Sequence, residues 1–411
     1  MQYKIFGCKV NKYYLNQRLS FFADSGVDTS NLFLISTCEV TDRAKSKWLS
    51  EAKRALKSGM KIAITGCGTL KEGEKISESD FYSLYPELEG WRDQIEILGE
   101  KPIVEPDFVS TNIFTKQQIT TKHFLMIQNG CDNYCSFCLT VLKRGKHWSR
   151  PLNQIVDEIK RVEDNGCNEI VLTGVNLAAR GCSDTKKPSE SRFNELLYSI
   201  LIQTNIPRIR ISSLGPEYIN QDFFDIIGDK RIMPHFHYSI QSFSEEVLQR
   251  MGRNYDYQQL VWVLQKTREI DRGLDTGNNL ISIGADLIVG FPGETEVEFE
   301  ETLRGVEGFN ITKLHVFPFS EHQKGQKIPA FYFSDQVPFS IKKEREKKLI
   351  GLGDQIRTKF LLANKGTAHD VMIEERKNGK WHGWTDNYLS VELEGDFTRG
   401  QILKDFIWIN K

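Results

Sequence analysis

Three of the eight cysteines crowd onto one stretch, Cys131-Asp132-Asn133-Tyr134-Cys135-Ser136-Phe137-Cys138, a C-x₃-C-x₂-C spacing with an aromatic before the last thiol. Three thiolates on one short loop suit a [4Fe–4S] cluster whose fourth iron stays open. Clusters used only for electron transfer are normally held by four thiolates. A structural zinc site wants four ligands, usually as paired C-x₂-C units, and no second such unit exists in the chain. A redox-active dithiol would not need Cys131. Zinc and redox use stay open as the blander readings, and the ligand count favours the cluster.

Three more cysteines repeat one placement. Cys8, Cys38 and Cys67 each follow a short apolar run: Tyr3-Lys4-Ile5-Phe6, Leu32-Phe33-Leu34-Ile35 and Lys61-Ile62-Ala63-Ile64-Thr65. Between the runs lie segments with helical spacing, Leu15, Leu19 and Phe22, then Ala44, Trp48, Ala52, Ala55 and Leu56. This β-α-β-α-β pattern predicts a small parallel sheet. The carboxyl ends of parallel strands share one edge, where ligands bind. The three thiols should therefore meet in space although the sequence separates them. The alternative is three separately buried structural cysteines. Cys167 and Cys182 match no motif and read as a small buried side chain and an incidental loop thiol.

The elements that position the first set come next. Phe124-Leu125-Met126-Ile127-Gln128 reads as a buried strand, so Cys131 starts a loop at a carboxyl strand end. Strands follow at Glu169 to Leu172, Ile209 to Ser212, His235 to Ile240, Ile281 to Val289 and Lys313 to Phe317. The helices between them run Leu152 to Asn165, Phe193 to Gln203, Pro216 to Ile227, Tyr257 to Ile270 and Glu294 to Val306. Six strands separated by helices predict a partial (β/α)₆ barrel, with functional loops at the carboxyl strand ends. Thr173-Gly174-Val175-Asn176, Ser212-Ser213-Leu214-Gly215-Pro216, Ser239-Ile240-Gln241-Ser242 and Asp286 to Thr295 with Gly290 all fall at such ends. A long helix, Ile341 to Leu361, leads to four short strands between His369 and Ile409, an all-β unit with turns at Asn378-Gly379 and Glu394-Gly395.

The two cysteine sets, with these motifs in this order, resemble the methylthiotransferase family of radical S-adenosylmethionine (SAM) enzymes, the MiaB, RimO and MtaB type. The resemblance covers essentially the whole chain. It implies a fold of three parts: an N-terminal methylthiotransferase domain over 1–110, a radical SAM core over 120–335, and, after a linking helix at 336–364, a TRAM domain over 365–411. It implies two [4Fe–4S] clusters. Cys131, Cys135 and Cys138 would hold the one that cleaves SAM, and Cys8, Cys38 and Cys67 an auxiliary one. Arg144 joins the first three as catalytic, because the family has Arg-Gly and Ser-Arg-Pro where this chain has Arg144-Gly145 and Ser149-Arg150-Pro151. Gly174, Asn176, Ser213, Ser239, Gln241 and Gly290 would contact SAM. Gly7-Cys8-Lys9-Val10-Asn11 looks like the branch acting on N6-threonylcarbamoyladenosine in tRNA, whereas the isopentenyladenosine branch tends to have Gly-Cys-Gln-Met-Asn and the ribosomal-protein branch Gly-Cys-Pro-Lys-Asn. The implied reaction removes hydrogen from C2 of that base beside the anticodon and transfers a methylthio group to it. The family's other branches, and a zinc-holding RNA-binding scaffold, are the alternatives. Four departures stand out: Ser36 for Asn, Gly68-Thr69-Leu70 for a polar-aromatic stretch, Val141-Leu142 for Pro-Tyr, and Phe243 for Gly, which should narrow the pocket.

Bulk properties set the frame. A chain of 411 residues with 39% hydrophobic and 27% charged residues is a multidomain globular protein, expected as a monomer. It opens on a strand rather than a signal peptide and has no apolar run of membrane-spanning length, so a reducing, cytoplasmic setting is expected. A net charge of −1 gives no general pull on RNA, so any tRNA-binding face must be local. From Arg43 to Lys61 seven cations face Glu51 alone, a solvated helix face or a phosphate contact. From Lys365 on, seven basic residues meet eight acidic ones, so Trp381, Trp384 and Tyr388 would either stack on bases or pack between domains. His147, His235, His237 and His315 have no ligand spacing with the thiols and read as structural. No motif names the reductant or the sulfur donor.

Overall fold

Each apolar run of the N-terminal stretch becomes a parallel strand. The computed structural model describes residues 1–26, 28–100, 121–270, 280–322 and 327–409. Strands Gln2–Ile5, Leu32–Thr37, Lys61–Gly66 and Ile95–Ile97 lie side by side in that order, all parallel. The last is too short and too charged to stand out in the sequence. Helix Asp42–Lys57 starts where the Thr41 hydroxyl accepts from the Ala44 N–H at 3.1 Å. It buries Trp48, Ala52 and Leu56 against Phe33, Ile35, Ile62 and Ile64. Of its cations, Arg43, Lys47, Arg54 and Lys57 are exposed, whereas Lys45 turns inward over the Tyr85 ring at 4.8 Å.

The barrel strands are His123–Met126, Glu169–Thr173, Arg208–Ile211 continuing into Ser213–Leu214, His235–Gln241, Ser282–Val289 and Lys313–Pro318. They run parallel in sequence order. The third breaks at Ser212, so its first half pairs with the second strand and its second half with the fourth. Alternation sorts the side chains. Leu125, Ile170 and Leu172 face the outer helices, while Phe124, Met126 and Val171 face inward. The barrel does not close between its first and last strands. Helix Lys9–Asp24 fills the first strand's inner face there, packing Val10, Tyr13 and Tyr14 on Phe124, Met126 and Val171. Two short helices, Thr140–Arg144 and Glu245–Met251, are additions to the expected pattern. The first carries Arg144 inward from its last turn.

Phe243 does not narrow the pocket. Its ring points outward, over the site where Gly305 lacks a Cβ, and stacks on Phe309 with centroids 6.0 Å apart. The linking helix runs Phe339–Ala363 and lies on the last barrel strand, where Gly353 lets Leu314 approach. Strands Ala368–Lys377, Lys380–Thr385, Ser390–Leu393 and Ile402–Ile407 form an antiparallel sheet, the all-β unit. It caps the amino ends of the barrel strands: Arg208 and Arg210 donate to the carbonyls of Asp370, Thr385 and Asp386, and Asn387 to that of Leu280. Trp384 stacks on Tyr388 at 4.6 Å and Tyr388 on His235 at 4.7 Å, so these two aromatics pack between units. The expected boundaries at 110 and 120 lie outside the described residues.

Candidate active site

The Cys131 loop is held from all sides by its backbone. Gln128–Asn129 pairs with Trp148–Ser149 at its base, and the Cys131 N–H donates to the Gly145 carbonyl at 3.1 Å. The Ser136 N–H donates to Met251 and the Ser136 carbonyl accepts from Ala330, both at 2.9 Å. Tyr134 turns the chain with a φ of 51°. Each sulfur has its own donor: Asn176 Nδ2 at 3.9 Å from Cys131, Arg253 Nη1 at 3.4 Å from Cys135, and the Thr140 N–H at 3.3 Å from Cys138. Burial pushes the Cys131 thiol up to about 12, and its two neighbouring thiols add to this. Burial raises Cys138 as well. A bound metal centre reverses that preference by displacing the protons.

The second set is assembled by a relay of hydrogen bonds across strand ends. Asn11 Nδ2 donates to the carbonyls of Phe6 at 2.8 Å and Thr37 at 2.7 Å. Thr37 Oγ1 donates to the Thr65 carbonyl and accepts from the Gly68 N–H. Gly7, at a φ of 105°, lies so near Cys38 that a Cβ there would stand 2.9 Å from the Cys38 Cβ. Burial lifts Cys38 to about 12, helped by the charges of Cys67 and Cys8, so all three thiols share one electrostatic neighbourhood. Burial lifts Cys67 to about 11, against the pull of Arg144. Cys8 alone of the three is exposed.

Arg144 follows the Cys131 loop in sequence, yet its guanidinium lies by the other set. It is buried, forks onto Glu100 at 2.5 and 3.2 Å, and donates to Asn11 Oδ1 at 2.6 Å. The short helix that begins beside Cys138 thus ends beside Cys67, and joins the two thiol sets directly.

The donor chemistry, two sets of three thiols, suits iron–sulfur clusters. Two sulfurs each about 2.3 Å from one zinc ion stand at most about 4.6 Å apart. Among the described residues, the group of three ligand atoms all within 4.8 Å of one another is His237, Asp286 and His315; neither thiol triad is drawn in that far. Around the first set, Asn133 Oδ1, Glu217 Oε2 and Arg253 Nε are buried without hydrogen-bond partners, although Glu217 Oε2 lies 3.8 Å from Arg253 Nη2, as befits a site built for a polar ligand.

The remaining expected contacts sort by position. Asn176 reaches Cys131, and its N–H is fixed by Gln128 Oε1 at 2.8 Å. Gly174 lets Gln128 come close, since a Cβ would stand 2.9 Å from its Oε1. Ser213 and Ser239 are half-buried on the third and fourth strands. Gln241 sits at a bulge with a φ of 69°. Gly290 has a packing reason instead: it turns at a φ of 67° against Lys342 of the linking helix. Sequence reasoning missed Glu217 and Arg253. Glu217 directly follows a quoted strand-end segment, but Arg253 lies beyond an unexpected helix. It also missed that His237 and His315 meet at Asp286, 3.0 and 3.1 Å from one carboxylate oxygen, because three neighbouring strands bring them into register.

Comparison with known proteins agrees with this geometry. The model of the radical SAM superfamily matches residues 125–306, and that of the uncharacterized protein family UPF0004 matches residues 1–84. The threonylcarbamoyladenosine tRNA methylthiotransferase MtaB of Rickettsia prowazekii is 31% identical, over 97% of this chain and 92% of its own. The MtaB of Bacillus subtilis is 29% identical, over 95% and 89%. The tRNA-2-methylthio-N(6)-dimethylallyladenosine synthase of Endomicrobium trichonymphae is 28% identical, over 95% and 92%. Among solved structures, the radical SAM methyltransferase TsrM of Kitasatospora setae, with tryptophan and a SAM analogue, shares the fold at a TM-score of 0.51 and 12% identity, over 86% of this chain and 87% of its own. Among the described residues no helix is long and apolar enough to cross a membrane. A thiol loop at a barrel strand end, a second triad beside it, and kinship along nearly the whole chain have one explanation: the chain belongs to the radical SAM methylthiotransferases, enzymes that use SAM and [4Fe–4S] clusters.

Proposed function

We propose that this protein methylthiolates C2 of N6-threonylcarbamoyladenosine-37, beside the anticodon of tRNA. What supports the reading is the short helix Thr140–Arg144, which starts at the Cys138 sulfur and ends with the Arg144 charge acting on Cys67 and Cys8. Cys8 is exposed and precedes Lys9, whose charge acts on the inward-facing Asp286, while Cys131 touches Asn176 at the second strand's end. The relatives named for threonylcarbamoyladenosine support the choice of base.

In this reading Cys131, Cys135 and Cys138 hold one cluster and Cys8, Cys38 and Cys67 the other. When bound, SAM and the clusters supply one-electron cleavage and the sulfur; the protein supplies position and charge. Arg253 and Asn176 donate to thiolate sulfurs. Asn133, and Glu217 and Arg253, which pair loosely at 3.8 Å, would meet the ammonium and carboxylate of SAM. Gly174, Ser213, Ser239 and Gln241 line the same strand ends, and Gly290 shapes the turn behind them. Arg144 keeps a positive charge beside Cys67, which pulls toward its thiolate form. The work divides over an auxiliary domain at 1–110, a SAM-cleaving core at 120–335, the linking helix at 336–364 and a TRAM domain at 365–411.

Nucleoside profiling of tRNA from a deletion strain tests this. Loss of the 2-methylthio derivative with accumulation of N6-threonylcarbamoyladenosine is expected, reversed by the wild-type gene. Accumulation of isopentenyladenosine instead would overturn the choice of base.

A further inference from the structure

The barrel interior carries charge that the thiol chemistry does not use. On the last strand Leu314 and Val316 pack outward, so Lys313, His315 and Phe317 face the lumen. Lys9, in the first turn of helix Lys9–Asp24, enters the same space from the open side of the barrel. It is surrounded by protein yet keeps some solvent contact, which marks a recess rather than an outer surface. The charges of Lys9 and Lys313 act on each other.

Among the described residues neither lysine has an ion-pair partner within 4.0 Å. The anions nearby are committed. Glu169 takes Arg210 at 2.7 Å, Arg208 at 2.6 Å and Lys122 at 3.4 Å. Asp286 lies between His237 and His315. His237 is 5% exposed, and its Nε2, though close to Asp286, has no aligned hydrogen-bond partner. Lys313 Nζ rests on the Tyr388 ring at 4.1 Å, but no anion among the described residues meets either ammonium, which is costly in a recess unless one comes to them. Burial and the surrounding cations hold Lys313 down to about 8, the mark of a site short of negative charge.

We propose that Lys9 and Lys313 form a subsite for a terminal carboxylate on the substrate nucleoside. The inference rests on the threonylcarbamoyl reading above and deepens it. A threonylcarbamoyl group ends in a carboxylate, whereas an isopentenyl group ends in hydrocarbon. The same lysines repel a cation, so the close approach of His237, Asp286 and His315 does not make a metal site here. A backbone phosphate fits poorly, because it carries a sugar on either side. The recess is closed by Tyr388, whose ring lies 4.1 Å from Lys313 Nζ.

The test uses the full chain with both clusters reconstituted and anticodon stem-loop RNA carrying either N6-threonylcarbamoyladenosine or its methyl ester. Turnover and Kd by fluorescence anisotropy are read for both. The wild type should prefer the acid by about tenfold or more, as one charge-assisted contact gives. Lys313→Gln and Lys9→Gln should each shrink that preference toward one, and Lys9→Arg should keep it. Lys313 belongs to neither thiol set, so its variant carries the test if Lys9→Gln disturbs the cluster. Equal handling of acid and ester by the wild type overturns the subsite. So does an equal loss of both RNAs in the variants, the pattern of a phosphate contact or a structural role. Turnover of an isopentenyladenosine RNA with neither of these would instead bring down the substrate reading itself.

Discussion

The two thiol triads reach similar chemistry by opposite routes. Cys131, Cys135 and Cys138 are neighbours in sequence, and their loop is pinned by backbone hydrogen bonds to Gly145, Met251 and Ala330. Cys8, Cys38 and Cys67 are neighbours only because three parallel strands end at one edge, and Asn11 and Thr37 tie those ends together. The first geometry follows from local chain direction. The second exists only once the sheet has formed, so it pays loop-closure entropy for every ligand. The local set should therefore tolerate distant damage, while the distributed set should fail whenever its sheet edge or its buried tie is disturbed.

Single thiol deletions give the largest effect and the sharpest contrast. Cys135→Ala should abolish SAM cleavage, and with it all methylthiolation, read as loss of 5′-deoxyadenosine to background. Cys67→Ala should keep SAM cleavage near the wild-type rate while methylthiolation falls to background, with about half of the iron lost on reconstitution. Full methylthiolation by Cys67→Ala would end the assignment of an auxiliary role to its triad.

The same contrast governs how much could be read in advance. The Cys131 spacing needs no tertiary knowledge, because the ligands are consecutive. The second triad was legible only through a topological rule, that parallel strands share a carboxyl edge, and the sheet obeys it. Strand alternation and helix spacing placed the six barrel strands to within a residue or two, since buried apolar runs leave a strong period. What stayed hidden depended on direction rather than pattern. Arg144 is adjacent in sequence to the first set but turns to the second, because the helix Thr140–Arg144 sets its direction. Phe243 turns outward because Gly305 leaves it room. The aromatics Trp384 and Tyr388 gave no sign of which face would meet the barrel.

Arg144 is where the contrast can be broken on purpose. Its guanidinium is the buried tie between the sets, forked onto Glu100 and bonded to Asn11. Arg144→Met leaves Glu100 buried without a partner, which should cost about 3–5 kcal/mol in urea unfolding. The variant should also lose auxiliary iron first, because Cys67 and Cys8 lose their nearby positive charge. Arg144→Lys should recover the charge but not the fork, so it should restore iron retention more than stability. Equal loss of iron from both sets would mean that the tie serves the loop as much as the sheet.

The smallest effect concerns the footing of the local set. Arg150, just past the Cys131 loop, donates to the Met126 carbonyl at 3.0 Å and pairs with Glu158 at 2.8 Å, while His123 lies 2.8 Å from the same carboxylate. Burial alone would raise the Glu158 pKa, but Arg150 and His123 outweigh it and hold the group at about 2, below its ordinary 4.5. A carboxylate depressed in the folded state binds its proton more readily once unfolded. Its stabilisation is therefore present above about 4.5 and is lost as the pH falls toward about 2. Glu158→Gln should lower stability near neutral pH and flatten the acid limb of the unfolding curve over that window. SAM cleavage at pH 7 should change little, because the backbone bonds of the Cys131 loop remain. An acid limb unchanged in Glu158→Gln would assign the acid sensitivity to other buried carboxylates, Glu169 and Asp286 first among them.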